Sequence, residues 1–267
     1  MEETTGPLPP GRRCAFITGA AHGIGRATAA LFAKQGWFVG LADVDEAALA
    51  ALAQELGGPR QAWTCRLDVT SAAEWQAALA AFFAHTGRVD LLVNNAGILI
   101  SGPFTANPLA RHHALVDVNV KGVLNGCHLA KPYLLRTPGA RVINLSSASA
   151  EYGQASLATY SATKFAVRGL TEALSIEWEP DGIRVMDVMP LFVRTAMVEG
   201  MDAASVRRLG VRLVPEDVAR VVLKAARYEG GYGRVHWPVG WMARLLHGVS
   251  GMGPDRFSRF VASRLAR

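Results

Sequence analysis

Cys14-Ala15-Phe16-Ile17-Thr18-Gly19-Ala20-Ala21-His22-Gly23-Ile24-Gly25 is the stretch from which the rest of the chain can be read. Its first five residues form a short apolar run of strand character, and from Ile24 to Gln35 apolar residues recur with the period of an amphipathic helix. Between them, Gly19, Gly23 and Gly25 stand at G-x-x-x-G-x-G spacing. The commoner G-x-G-x-x-G arrangement would need a third glycine at Thr28 and is not met. Glycines still let the backbone turn tightly and approach a pyrophosphate, and the helix N-terminus supplies N–H donors and a positive dipole end. Ala21, His22 and Ile24 complete this candidate dinucleotide turn. A glycine-rich strand-to-helix turn also occurs in plain α/β packing, so the surrounding chain has to discriminate.

Working outward, further strand-like runs are Trp37 to Ala42, Gln61 to Leu67, Leu91 to Asn94, Ala140 to Leu145 and Ile183 to Val188, with a weaker one at Arg234 to Trp237. Helical patterns lie between them at Glu46 to Leu56, Ala72 to His85, Arg111 to Leu135, Thr159 to Glu179 and Pro215 to Tyr228. Gly36, just past the first helix, suits a left-handed C-cap. Such alternation predicts an α/β fold with a doubly wound parallel sheet, covered on both faces and binding ligands beyond the carboxyl ends of its strands. The expected organisation is a flexible lead over residues 1–12, one domain over residues 13–240 and a tail over residues 241–267.

Several polar residues fall on that carboxyl edge. Asp43 closes the second strand-like run about 20 residues beyond the glycines, where an acid accepts hydrogen bonds from an adenosine ribose. The plain alternative is that Asp43 opens a turn with Asp45 and Glu46 as acids at a helix start. Asp68-Val69 follows the third run, and Asn94-Asn95-Ala96-Gly97 ends the fourth. Ser147 follows the apolar run Val142-Ile143-Asn144-Leu145, and thirteen residues later comes Tyr160-Ser161-Ala162-Thr163-Lys164. Tyr160 and Lys164, spaced i, i+4 on a helical segment, share one face. Alone, that spacing describes an ordinary amphipathic face.

Together, Thr-Gly-x-x-x-Gly-x-Gly, Asn-Asn-Ala-Gly, and Ser147 with Tyr-x-x-x-Lys resemble the single-domain branch of the short-chain dehydrogenase/reductase family, in its order and spacing from about Arg13 to Tyr228. The resemblance implies a seven-stranded Rossmann-type sheet and hydride exchange between a nicotinamide and a secondary alcohol or ketone. By motif position, Gly19, Gly23 and Gly25 would form the pyrophosphate turn, Asp43 would hold the ribose, Asp68 and Val69 would line the adenine pocket, and Asn94 would steady the central strand. Asn95, Ala96 and Gly97 would complete the cofactor edge. Ser147 would orient the substrate oxygen and Tyr160 would exchange its proton. Lys164, with the oxidised nicotinamide, would lower the Tyr160 pKa and bridge the nicotinamide ribose hydroxyls. Asn119 would bind a water leading toward the lysine. No metal is expected.

Met189-Pro190-Leu191-Phe192-Val193-Arg194-Thr195 departs from the family's usual Pro-Gly, with Leu191 in the glycine's place. Pro190, Val193 and Thr195 remain candidates for the nicotinamide side, and residues 191–214 correspond to the substrate lid. Met197, Val198 and Met201 there suggest a lipophilic or ring-bearing substrate, although methionine also fills gaps in ordinary packing. Asp43 repels a 2′-phosphate and Val44 offers no cation, so NAD is expected over NADP, against a weak opposing indication from His22. The alternatives are an NADPH-linked 3-oxoacyl-carrier reductase and, from another class, a non-catalytic dinucleotide sensor.

With half the residues hydrophobic and 19% charged, the composition excludes a disordered chain, and the three cysteines suit a reducing compartment better than a disulfide scaffold. The acidic, Pro/Gly-rich start is unlike a signal peptide and no apolar run is long enough to span a bilayer, so a cytoplasmic location is expected. Of the net charge of +6, residues 1–202 carry 16 basic against 18 acidic groups and residues 203–267 carry 12 against 4. No basic element with base-reading residues accompanies that excess, which argues against nucleic acid. The tail from Trp241 to Arg267 reads as amphipathic, packed on its own subunit or a symmetry mate, or docked on a membrane surface or an acidic carrier. The two long helices, Arg111 to Leu135 and Thr159 to Glu179, pair subunits in the family, so a homodimer or homotetramer is expected.

Overall fold

A computed structural model of the chain describes residue 8, residues 11–198, residue 201 and residues 210–249. Seven parallel strands form one sheet: β1 (Cys14–Thr18), β2 (Phe38–Asp43), β3 (Ala62–Arg66), β4 (Leu91–Asn94), β5 (Arg141–Leu145), β6 (Arg184–Pro190) and β7 (His236–Val239). Their order across the sheet is β3-β2-β1-β4-β5-β6-β7. The chain therefore winds outward from β1 to β3, then returns to the other side of β1 as β4. Crossovers leave β1 and β4 in opposite directions, and this opens a crevice at their carboxyl ends.

Two hydrophobic layers sandwich the sheet. On one face, α1 (Gly23–Lys34), α2 (Glu46–Glu55) and α7 (Pro215–Ala226) cover residues such as Ile17, Val39, Val93 and Val188. On the other, α3 (Ala72–Thr86), α5 (Gly122–Leu134) and α6 (Ala158–Glu177) cover Phe16, Phe38, Leu92 and Val142. Consecutive residues of β1 thus serve both layers, which is why all five are buried and why the run is apolar without interruption. Aromatic packing stiffens the second layer, with Phe16 5.2 Å from Phe82 and 5.9 Å from Trp75 between ring centroids. A last described helix, α8 (Gly240–Val249), packs on β6 and β7.

The expected C-cap is present. Gly36 has φ +84°, its N–H donates to Ala33 O and the Trp37 N–H to Phe32 O. This is the Schellman pairing, closed by an edge-to-face contact of Phe32 and Trp37 at 5.0 Å. Two expectations need adjustment. The helix read as continuous from Arg111 to Leu135 starts earlier, as α4 (Leu109–Val116), and passes through a π-helical turn at Asp117–Lys121 before α5. The weak strand read at Arg234 to Trp237 lies at His236–Val239, where its register with Asp187 to Pro190 of β6 sets it. Of the lid over residues 191–214, residues 199, 200 and 202–209 lie outside the described residues, as do residues 250–267 of the tail. No helix among the described residues is long and apolar enough to cross a membrane.

Candidate active site

The turn leaving β1 is held by its neighbour across the crevice. Thr18 Oγ1 accepts from the backbone N–H groups of Asn95 and Ala96 at 3.0 and 3.1 Å, and Asn95 Nδ2 donates to Thr18 O and Gly19 O at 2.9 and 3.1 Å. Gly19 and Gly23 adopt φ of +63° and +49°. At Gly25 the constraint is space, since a Cβ would lie 2.0 Å from Gly19 O. The α1 N-terminus, at Gly23, has no side-chain cap, so its N–H groups remain available to a phosphate.

Asp43, at the end of β2, accepts from Ala21 N at 3.0 Å through Oδ2 and from Val44 N at 2.7 Å through Oδ1. It therefore both shapes the turn and presents acceptor capacity beside it. Asp45 caps α2 through Ala48 N at 3.0 Å and pairs with His22 Nε2 at 2.8 Å. Those contacts, first the backbone hydrogen bond and then His22, hold the Asp45 carboxyl below its usual range. His22 is thus engaged by an acid. Asp68 Oδ1 is taken by Thr70, through its N–H and hydroxyl at 2.9 and 2.8 Å, and these hydrogen bonds lower its carboxyl pKa. Val69 is buried, and its carbonyl accepts from Trp75 Nε1 and Asn125 Nδ2. Asn94 donates to Asn144 Oδ1 at 2.9 Å, and Asn144 donates on to Thr171 Oγ1 of α6 at 2.9 Å, which ties β4, β5 and α6 through the interior.

Ser147 stands just beyond β5 and caps the short turn Ala148–Ala150, its Oγ accepting from Ser149 N at 3.1 Å and reaching Pro190 O at 3.3 Å. Ser146 turns away, donating to Lys164 O at 3.3 Å. Tyr160 lies in the first turn of α6, near enough to Ser147 for that hydroxyl to favour its phenolate. Lys164 is buried, donates through Nζ to Leu145 O at 2.7 Å, and holds Nζ 5.6 Å from the Tyr160 ring centroid. Ser147, Tyr160 and Lys164 therefore meet at one place, at the carboxyl end of β5.

Within the polypeptide, burial dominates the electrostatics of both ionisable groups. Loss of water around the phenol pushes Tyr160 up to about 12, with the Ser147 hydroxyl acting in the opposite direction. Burial brings Lys164 down to about 8. For the phenol, desolvation outweighs the influence of Ser147.

The profile of the family described as "short chain dehydrogenase" matches residues 13–205. The chain belongs to this family. A 3-oxoacyl-(acyl-carrier-protein) reductase of Thermotoga maritima is 34% identical over 229 residues, covering 83% of this chain and 93% of that one. A 3-alpha-(or 20-beta)-hydroxysteroid dehydrogenase of Mycobacterium tuberculosis is 33% identical over 221 residues, covering 82% and 84%. Among solved structures, a short chain dehydrogenase/reductase from Burkholderia phymatum in complex with NAD superposes with a TM-score of 0.78 at 29% identity, covering 89% of this chain and 94% of that one. The protein is accordingly an NAD(P)-dependent oxidoreductase.

Within this short-chain dehydrogenase, the π turn accounts for Asn119. Its amide spans Ile98, accepting from Ile98 N at 2.8 Å and donating to Ile98 O at 2.9 Å, and also reaches Thr163 Oγ1 at 3.3 Å. The side chain thus clamps the segment after Gly97 to α6. Beyond β6, Val193 bridges to Leu213, and Thr195 Cγ2 would lie 3.1 Å from a Cβ placed on Gly23. That contact brings the end of the Pro190–Thr195 segment onto the glycine turn. Leu191 and Phe192 face Leu213, Val239 and Met242 in an apolar cleft. Sequence reading missed His112, which is buried on α4 and joins Thr159 Oγ1 at 2.8 Å to Phe104 O at 3.0 Å. As an isolated histidine in a helical pattern it carried no signal.

Proposed function

We propose that the protein interconverts a secondary alcohol and a ketone with NAD, on a lipophilic or ring-bearing substrate. The observation that carries this reading is the meeting of Ser147, Tyr160 and Lys164 at the end of β5. A dinucleotide fits the crevice: Gly19 and Gly23 have positive φ, Gly25 has no room for a Cβ, and the start of α1 has no side-chain cap, so its N–H groups could take a phosphate. The Gly19–Gly25 turn would hold the pyrophosphate, Asp43 the adenosine ribose, Asp68 and Val69 the adenine side, and Asn95, Ala96, Gly97, Pro190, Val193 and Thr195 the nicotinamide side. When bound, the nicotinamide supplies the hydride acceptor or donor and, when oxidised, a positive charge.

Ser147 donates to the substrate oxygen and holds it against the Tyr160 hydroxyl. In the oxidative direction Tyr160 takes the alcohol's proton, and in the reductive direction it returns one. Lys164 keeps an ammonium beside Tyr160 and would hydrogen-bond the nicotinamide ribose. Asn119 steadies the segment over the nicotinamide side, and the π turn around it is the place from which a backbone carbonyl would hold a relay water.

Asp43, with Asp45 occupying His22, supports NAD over NADP, because neither acid tolerates a 2′-phosphate and the nearby cation is engaged. The NAD in the Burkholderia complex supports the same choice. The cleft of Leu191, Phe192, Leu213 and Met242, and the steroid named for the Mycobacterium relative, support a lipophilic substrate. Exposed Leu124 on α5 and Phe165 and Ile176 on α6 support self-association through these two helices.

The test is Tyr160→Phe, assayed with NAD and four alcohols: a hydroxysteroid, a fatty secondary alcohol, phenylethanol and cyclohexanol. Turnover should fall by roughly 100- to 10,000-fold with NADH binding retained. Turnover near the parent's contradicts the catalytic assignment. In parallel fluorescence titrations, NADPH binding as tightly as NADH contradicts the cofactor assignment.

A further inference from the structure

One turn beyond Lys164, α6 carries a second largely buried cation. Arg168 Nη1 donates to Ala150 O at 3.3 Å and to Glu151 Oε2 at 2.8 Å, while its Nε donates to Glu172 Oε1 at 2.9 Å. Ala150 and Glu151 close the short turn that Ser147 opens, with Ala150 N donating to Ser147 O at 2.9 Å and Glu151 N to Ala148 O at 3.1 Å. A single guanidinium on the helix of Tyr160 therefore grips the turn of Ser147. The Glu151 side chain is 2% exposed and that of Arg168 24%. A charge pair so far out of water demands good geometry, and removing one partner leaves the other uncompensated.

The pair is anchored on two further sides. Glu172 Oε1 also meets His236 Nε2 at 3.0 Å, and His236 Nδ1 meets Asp187 Oδ1 at 2.9 Å, with Asp187 fully buried in β6. Glu151 Oε1 meets His247 Nδ1 of α8 at 2.7 Å, and the His236 and His247 rings lie 5.4 Å apart. The Ser147 turn, α6, β6, β7 and α8 thus share one network of charged groups.

We propose that Arg168 and Glu151 are positioning residues that set the Ser147 hydroxyl against Tyr160. Neither touches the reacting atoms. They act through the turn, and the inference rests on Ser147 and Tyr160 working as a pair. A displaced turn moves the Ser147 hydroxyl away from the phenol, and a misplacement of about 1 Å in such a site costs on the order of 100-fold in rate. The arrangement also makes α8 part of the support of the catalytic serine.

The experiment follows the Tyr160 Cζ NMR resonance in the NAD-bound protein with labelled tyrosine, assigned among the five tyrosines by its loss in Tyr160→Phe. This resonance responds to hydrogen bonding and ionisation of the phenol and needs no substrate. Ser147→Ala sets the scale. Glu151→Gln, nearly isosteric, and Arg168→Met should each move the resonance in the same direction by at least half as much, with Arg168→Lys moving it less than Arg168→Met. For the panel alcohol turned over fastest, kcat should fall roughly 10- to 100-fold in Glu151→Gln, with NADH affinity within about twofold. A parent-like resonance in Glu151→Gln, where Ser147→Ala does shift it, overturns the positioning role alone. A parent-like resonance in Ser147→Ala overturns the Ser147–Tyr160 pairing and the positioning role with it.

Discussion

Burial holds Lys164 at a pKa of about 8 against an ordinary 10.5. Between those values the folded protein binds fewer protons than the unfolded chain, so the contribution of this group to stability rises with pH there. Below about 8 the ammonium is charged in both states and costs the fold a constant amount, on the order of 3 kcal/mol. Lys164→Met removes that cost but leaves Leu145 O without its donor, a loss of about 1 to 3 kcal/mol. The expected outcome is a variant that melts at or slightly above the parent temperature near neutral pH, yet binds dinucleotide more weakly and turns over little substrate. Calorimetry and NADH titration on one preparation check it. A clearly destabilised variant with parent-like dinucleotide affinity and turnover contradicts it. Tyr160 and Lys164 were legible as a pair because i, i+4 spacing survives translation into structure. The burial of Lys164 and half-burial of Tyr160 were not, since they come from β5 and the Ser147 turn packing against α6.

At the scale of elements, the β1–α1 turn closes on itself. A Cβ at Gly25 would lie 2.0 Å from Gly19 O and 2.6 Å from Asn95 Nδ2, and the first of these is backbone that cannot rotate away. Gly25→Ala should therefore open the turn or shift α1, at about 1 to 3 kcal/mol or more. Dinucleotide binding should suffer more than stability, because the displaced groups are the proposed phosphate donors. Denaturant unfolding with and without NADH checks this, and unchanged stabilisation by NADH contradicts it. Strands such as Cys14–Thr18 and Leu91–Asn94 were readable to the residue because both faces are buried and the apolar run has sharp ends. The π turn at Asp117–Lys121 was not, because one wider turn barely disturbs a helical hydrophobic pattern. Asn119 was visible only through the family's pattern, and its clamp on Ile98 depends on a loop whose path no local rule dictates. Arg168 and Glu172 are an i, i+4 pair on α6, but Glu151, Asp187, His236 and His247 lie too far from them in sequence for their meeting to be read from it, and each alone resembles a solvated charge.

Across the whole molecule, the excess positive charge sits toward the C-terminal quarter, while acids and bases are paired where the last strands meet α6 and α8. His236 is the titratable centre of that region. Burial lowers its pKa, but the hydrogen bond and charge of Asp187, with Glu172 adding to them, outweigh burial and Arg168, so the net shift is upward. Asp187 is itself raised, chiefly by burial, with His236 pulling it back. A base with a raised folded pKa gives stability that is complete below its unfolded value and is lost as pH climbs through the folded one. A raised acid acts in the same direction, since the folded state holds its proton longer. Asp45 and Asp68, lowered by their hydrogen bonds, oppose this only in the acid range below their unfolded values. The region faced by Arg168, Glu151, Glu172 and His247 should therefore loosen as pH rises past the ordinary imidazole value of about 6.5. The parent should melt at a lower temperature above that value than below it, and His236→Gln should flatten most of the slope. Calorimetry of both proteins on either side of it is the check. An equally steep slope in His236→Gln would place the pH dependence elsewhere and leave the pairing of β6 and β7 to α6 without a titrating centre.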